Sequence, residues 1–150
     1  MMKSRFWHLS AGGLCLLALM LMSGTNTRER AYQGPLQASV KRGKQVYLEQ
    51  CLSCHQVDGL GVQGMNPPLV KTKFVLGDKA TLVKIVLNGM SGVEIPGGDY
   101  HGVMAAHPDL TDQQIADALT YVRNSWGNKA TAVTVAQVKA IRATNKPPAQ

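Results

Sequence analysis

The sequence predicts an all-α domain of three to five short helices joined by long loops. Apolar residues recur at spacings of three and four in segments that carry capping signals, which is the signature of helices with one buried face. No segment alternates apolar and polar residues as a half-buried strand would. Two stretches rich in glycine and proline separate the helical segments and are too long to be tight turns.

The chain opens with Lys3 and Arg5, followed by an apolar run from about Leu9 to Met22. A basic start before an apolar run is the order of a secretory signal. Extended back to Phe6, the same run reaches the lower limit for crossing a bilayer, about 17 residues. Residues 1–24 are therefore expected to be a signal peptide or an N-terminal membrane anchor acting through residues 6–22. Both readings export the rest of the chain. Residues 25–38 are polar and carry Gly34-Pro35, and read as a linker.

Ser39 is placed to cap a helix over Val40 to about Gln50, on which Gly43, Tyr47 and Cys51 share one face at intervals of four. A loop follows over residues 56–77, with glycines at 59, 61, 64 and 77 and the pair Pro67-Pro68. Asp78 caps a helix over Lys79 to Asn88, closed by Gly89. A second loop spans Met90 to Leu110. Thr111 and Gln114 form a capping box for the clearest helix, in which Ile115, Ala118, Leu119, Val122 and Trp126 line one face before Gly127. A short amphipathic helix over Val135 to Ala143 leads into a tail at 144–150. The expected domain is thus residues 39–143.

Such a domain has little apolar volume, because much of its length is loop. Small domains of this kind need a staple. The run Cys51-Leu52-Ser53-Cys54-His55 supplies one. Cys-x-x-Cys-His is the attachment signature for c-type haem. Two intervening residues set both thiols along one porphyrin edge, where each S–H can add across one vinyl group. The adjacent imidazole can then bind the iron. Zinc would want a second Cys or His pair at similar spacing, which the sequence lacks. A thioredoxin-like redox pair would want a βαβ context, whereas the flanks here are helical. The mature region holds no other cysteine, so no disulfide framework competes for these two.

His55 fills one axial position. Met65, Met90, Met104, His101 and His107 are the candidates for the other. Met65 is too near His55 in sequence to reach the far face easily, and Met90 directly follows a helix end. Met104 stands 49 residues beyond His55 in the glycine-rich loop that can wrap the ring, so position favours it, with His101 and His107 as alternatives. A neutral thioether favours Fe(II) and raises the potential relative to a second histidine.

From about Ser39 to Ala143 the chain resembles a class I cytochrome c. The resemblance is carried by Gly43-x-x-x-Tyr47-x-x-x-Cys51-x-x-Cys54-His55, by Pro67-Pro68-Leu69, by Tyr100-x-Gly102-x-Met104, and by the run Leu119 to Asn128. It implies an all-α fold of short helices wrapped around one covalent haem c, attached at Cys51 and Cys54 and ligated by His55 and Met104. It further implies that Gly43 lets the first helix cross the last near Leu119 and Val122, that the Pro67 carbonyl accepts the Nδ1 proton of His55, and that Leu69 packs on the haem face. Tyr100 and Trp126 are implied near the propionates or as packing aromatics. The family commonly has proline after the ligand methionine. Ala105 stands there in this chain, which loosens the expected restraint on the loop.

The function expected is single-electron transfer in the bacterial periplasm, between a dehydrogenase or respiratory complex and a terminal oxidase or reductase. Six-coordinate iron leaves no vacant position for substrate, so the chain is expected not to be an enzyme. Two alternatives are a haem-c gas or redox sensor or peroxidase-like enzyme with a displaceable distal ligand, and an anchoring cytochrome subunit of a dehydrogenase. The formal charge of +7 falls to +4 from Ala31 onward, with 12 basic and 8 acidic side chains. Two propionates bring this to about +2, a field suited to steering acidic protein partners. No basic cluster interleaved with aromatics points to nucleic acid.

A core completed by its cofactor predicts that haem-free protein loses most of its helical circular dichroism. Native-like helix content without haem would refute this.

Overall fold

The computed structural model describes residues 26–93, 95 and 98–146, with side chains from residue 31. The expected leader and its membrane segment 6–22, like residues 147–150 of the tail, lie outside the described residues. Close contacts divide the chain at Pro35, and everything below concerns Leu36–Gln150 unless stated. Helices are α1 (Asn26–Gln50), α2 (Leu52–His55), α3 (Lys73–Leu76), α4 (Lys79–Asn88), α5 (Asp112–Val122) and α6 (Val135–Thr144). Extended pairing among the described residues is limited to two isolated antiparallel bridges, Val62 with Asn66 and Met90 with Met104. No described helix is long and apolar enough to cross a membrane.

Helix α1 corrects one expectation. It begins at Asn26 and runs through Gly34 and Pro35, so residues 26–38 are helical where a linker was expected. Proline in a helix interior removes a hydrogen bond, and Gly34-Pro35 therefore reads as a break. Residues 31–35 are exposed, so no packing requirement on this stretch is visible in the sequence. Ser39 consequently caps nothing; its hydroxyl donates to Asp117 Oδ1.

The buried face of α1 meets α5. A Cβ placed on Gly43 would sit 1.9 Å from the Asp117 carbonyl oxygen and 2.8 Å from Tyr121 Cβ. The crossing is therefore at Asp117 and Tyr121, within one or two residues of the Leu119 and Val122 expected. Asp117 is 3% exposed and closes the crossing with its carboxylate. Burial raises its pKa, but hydrogen bonds from Arg42, Ser39 and Gln113 outweigh this and hold the group below its usual range. Arg42 Nε and Nη2 stand 2.7 and 2.9 Å from the two carboxylate oxygens. A buried charge is tolerated when it is satisfied in this way.

The remaining helices follow their signals closely. Asp78 accepts from Thr81 N at 2.7 Å to start α4. Thr111 and Gln114 make the expected capping box, and Thr134 and Gln137 make a second one that starts α6. The loop expected over 56–77 contains one helical turn, α3, capped by Thr72. Helix α5 stops at Val122, one turn before the expected end. Trp126 then takes a positive φ of 52°, followed by Gly127 at 82°. The turn carries the indole back toward α1, with its ring 5.2 Å from Tyr47 and 5.5 Å from Tyr121.

Two apolar clusters result. One joins Leu82, Val83 and Leu87 of α4, Ile115, Ala116 and Leu119 of α5, and Val133 and Val138 around α6. The other joins Tyr47, Val75, Tyr121 and Val122, with Leu69 and Trp126 against them. Residues of both clusters face one cavity.

The Gly43 contact predicts that Gly43→Ala destabilises the holoprotein by about 3 kcal/mol or more, at the upper end for overpacking, because backbone stands where the methyl must go. Thermal denaturation followed at the haem absorbance band measures it; an unchanged midpoint would mean that the two helices can separate freely.

Candidate haem site

The signature pentapeptide lies where α1 ends. Cys51 N donates to Tyr47 O at 2.9 Å, keeping the chain helical to the first thiol. Helix α2 then places Cys54 and His55 one turn on, with His55 N donating to Cys51 O at 3.0 Å. Gln56, at φ 61°, turns the chain away. Its carbonyl is held by the Tyr47 hydroxyl at 2.6 Å. Cys51 is half-buried and Cys54 exposed, and the two are not joined in a disulfide.

These residues open onto a cavity of about 530 Å³ lined by Cys51, Cys54, His55, Pro67, Tyr100 and Met104 among others. That volume is in the range of small-molecule and cofactor sites. It continues into an apolar recess of about 100 Å³ formed by Tyr47, Pro68, Leu69, Phe74, Val75, Leu82, Ile85, Val86, Leu119 and Val122. Cys51, His55, Pro67, Met90 and Met104 line both parts. The recess suits an apolar ring face. The wider part, with Tyr100 and His101, suits a polar edge.

Burial lowers the pKa of His55, and the nearby His107 adds to this, while the Pro67 carbonyl opposes it. The imidazole is thus neutral at pH 7, as a metal ligand must be. Its Nδ1 is buried without a hydrogen-bond partner. The Pro67 carbonyl lies close enough to act as a backbone acceptor that raises the imidazole pKa, outside full hydrogen-bond geometry. Burial, with a smaller contribution from Cys54, pushes the Cys51 thiol up to about 11. Among the described residues no group of three or more His, Cys, Asp or Glu side chains gathers at one point. His55 with one facing ligand can complete only the axial positions of a metal whose other donors come with it. The residues present therefore fit a haem: two thiols on one rim, a neutral imidazole beneath, and an apolar recess.

The distal wall is the loop after α4. Met104 exchanges two backbone hydrogen bonds with Met90, at 2.9 and 3.0 Å. Directly opposed residues of an antiparallel pair project to one side, and both methionines line the cavity. Gly89 makes the pairing possible, since a Cβ there would stand 2.4 Å from Met104 O. Gly102 lets the loop close on the proximal segment: its N–H donates to Met65 O at 2.7 Å, and a Cβ would stand 2.2 Å from that oxygen. Met65 is 55% exposed and does not line the cavity, so it is not brought to the distal face. His101 lines the wide part but is exposed and pairs with Asp99 at 3.3 Å. His107 lines it too.

Leu69 and Tyr100 line the cavity. Trp126 takes the second of its two readings, as a packing aromatic. Its indole Nε1 donates to Val57 O at 3.0 Å, and its ring lies against Gly59. It packs behind the attachment loop, because the turn at residues 126–127 directs it there.

Two supporting residues carried no functional expectation. Asn128, 3% exposed, accepts from Lys71 N and donates to Leu69 O and Val122 O, which ties the Leu69 segment to the end of α5. Arg123, also 3% exposed, donates to the carbonyls of Val75, Gly77 and Thr131. An Asn beside a turn glycine such as Gly127 is a signal for side-chain to backbone bonding. Nothing in the sequence marks Arg123, whose partners are carbonyls far along the chain.

The family model for cytochrome c matches residues 40–126, more than half of the chain. The chain belongs to the cytochrome c family. It is 32% identical over 127 residues to cytochrome c-552 of Thermus thermophilus, covering 78% of this chain and 85% of that one. It is 39% identical over 111 residues to the cytochrome c subunit of a quinone alcohol dehydrogenase from Gluconacetobacter polyoxogenes, covering 70% of this chain and 23% of that one. Against the CcoP subunit of a cbb3-type cytochrome c oxidase from Azospirillum brasilense it is 37% identical over 98 residues, with shares of 61% and 30%. The chain spans about a quarter of the dehydrogenase subunits it matches. As a cytochrome c, this chain carries haem c bound covalently through Cys51 and Cys54.

Covalent attachment predicts that acidified organic solvent leaves the pigment on the wild-type protein. Cys51→Ala/Cys54→Ala should release it, because only the axial ligands then hold the ring. Retention of pigment by the double variant would place the thioethers elsewhere.

Proposed function

We propose that this cytochrome c is a periplasmic single-electron carrier whose iron is held between His55 and Met104. The observation that carries the reading is the placement of Met104 on a cavity wall whose other lining includes Cys51, Cys54 and His55. The haem, when bound, supplies a one-electron Fe(III)/Fe(II) couple. The chain does the rest. His55 offers a neutral nitrogen. The Pro67 carbonyl orients it through Nδ1 when ring and imidazole seat together. Leu69, Leu119 and Val122 keep water from the buried face, which raises the potential by disfavouring the extra charge of Fe(III). His55 and Met104 would hold the iron between them, so no bond chemistry on a substrate is expected.

Electrons would pass at the exposed rim near Cys54. Val103, which lines the cavity with Cys54, is more than half exposed, as are Val57, Leu60 and Met65 in the loop that follows His55, with Gln63 between them in sequence. Such a patch suits brief docking of a redox protein, with the mild positive charge steering an acidic one. Partners of the dehydrogenase or terminal oxidase class are favoured by relatives that are subunits of a quinone alcohol dehydrogenase and a cbb3-type oxidase. The same relatives favour, as a second reading, a cytochrome subunit held within a dehydrogenase. Export to the periplasm follows from the character of residues 1–24, with anchoring through residues 6–22 as its membrane-bound form.

The test is the near-infrared spectrum of oxidised wild type beside Met104→Ala. The variant should lose the methionine-to-ferric-iron charge-transfer band, and its reduced form should bind carbon monoxide readily. An unchanged spectrum would move the ligand to Met90, His101 or His107. Tight, fast carbon monoxide binding by wild type would favour a sensor or peroxidase-like enzyme.

A further inference from the structure

Helix α6 lies beyond the residues that the cytochrome c family model matches, which end at 126. It is nevertheless built into the domain. Val138 is fully buried in the cluster shared with α4 and α5. The unexpected feature is at its C-terminal end. Arg142 Nε donates to Asp112 Oδ1 at 2.7 Å, Nη1 to Pro108 O at 2.9 Å and Nη2 to Leu110 O at 2.5 Å. All three acceptors lie at the exit of the loop that carries Met104. Asn145 forms a reciprocal amide pair with Asn88, at 3.0 and 2.8 Å. Asn88 is the last residue of α4, at the entrance of the same loop. One helix end thus grips both ends of a loop of some twenty residues, whose described residues form no helix.

We propose that Arg142 and Asn145 are positioning residues that clamp this loop and so hold the distal ligand on the iron. The clamp rests on the reading that the loop supplies that ligand. It acts where this chain lacks a covalent restraint: the residue after Met104 is Ala105, which leaves φ free to vary. Fixing the loop ends removes most of the conformational freedom that would otherwise let the thioether leave the metal. Arg142 suits the task because its fork of five donors reaches several carbonyls at once, which a lysine cannot.

The test uses full-length holoprotein in wild-type, Arg142→Ala, Arg142→Lys, Asn145→Ala and Thr134→Ala forms. Thr134→Ala weakens α6 from its other end, by removing the cap, without touching the loop. Two readouts apply: the pH at which the oxidised protein loses its charge-transfer band, and the carbon monoxide association rate of the reduced protein. Arg142→Ala should lose the band at lower pH and bind carbon monoxide about tenfold faster, the order expected when hydrogen bonds to a charged donor are lost. Arg142→Lys should be intermediate, and Asn145→Ala should shift both readouts in the same direction. Thr134→Ala should lower the thermal midpoint and leave both near wild type. Wild-type values in folded Arg142→Ala would overturn the clamp, and so would Thr134→Ala shifts as large as those of Arg142→Ala. A wild type with no charge-transfer band would sink Met104 as the ligand. The carbon monoxide rates would still test the clamp for His101 or His107 in the same loop.

Discussion

The close crossing of α1 and α5 at Gly43 is the constraint on which the site depends. Backbone of α5 occupies the space a side chain would need, so the helices approach as nearly as main chains allow. Asp117 sits in that contact, satisfied by Ser39, Arg42 and Gln113. A carboxylate buried without these partners would be costly, so the polar contacts fix the angle as well as the distance. Because α1 leads directly into Cys51, the crossing aims the attachment residues at the apolar face of α5, where Leu119 and Val122 form part of the cavity wall.

That arrangement decides the chemistry. The proximal side offers a histidine kept neutral by burial, and the distal loop offers uncharged thioethers. Neither side chain carries a negative charge, and the recess behind them is apolar. Such surroundings suit the one-electron transfer of a haem c. The polar and exposed part of the cavity lies on the side of Cys54 and Tyr100, where a partner can come close. Separation of a dry interior from an accessible rim is what an electron carrier needs.

Long loops without regular structure have to place their backbone groups somewhere. This domain meets the requirement with a few side chains that reach carbonyls distant in sequence. Arg123 holds Val75, Gly77 and Thr131; Asn128 holds Leu69 and Val122; Arg142 holds Pro108 and Leu110. Each joins a stretch flanking the cavity to a helix. They do the work that extra apolar core would do in a larger protein.

The sequence determined the attachment pentapeptide, the helices over 79–88 and about 135–143, the start of α5 and the presence of a methionine in the distal loop. These rest on local rules: fixed spacing of thiols and imidazole, capping residues, and apolar period. Tertiary structure alone decided that α1 continues back through Pro35, that α5 ends at Val122, that Trp126 turns away from the cavity, and that Met90 stands beside Met104. It also decided the roles of Asn128, Arg123 and Arg142. Each of these depends on what a residue meets across the fold, at separations of tens of residues. Periodicity and capping carry no information at that range, because they report only how a segment treats its nearest neighbours.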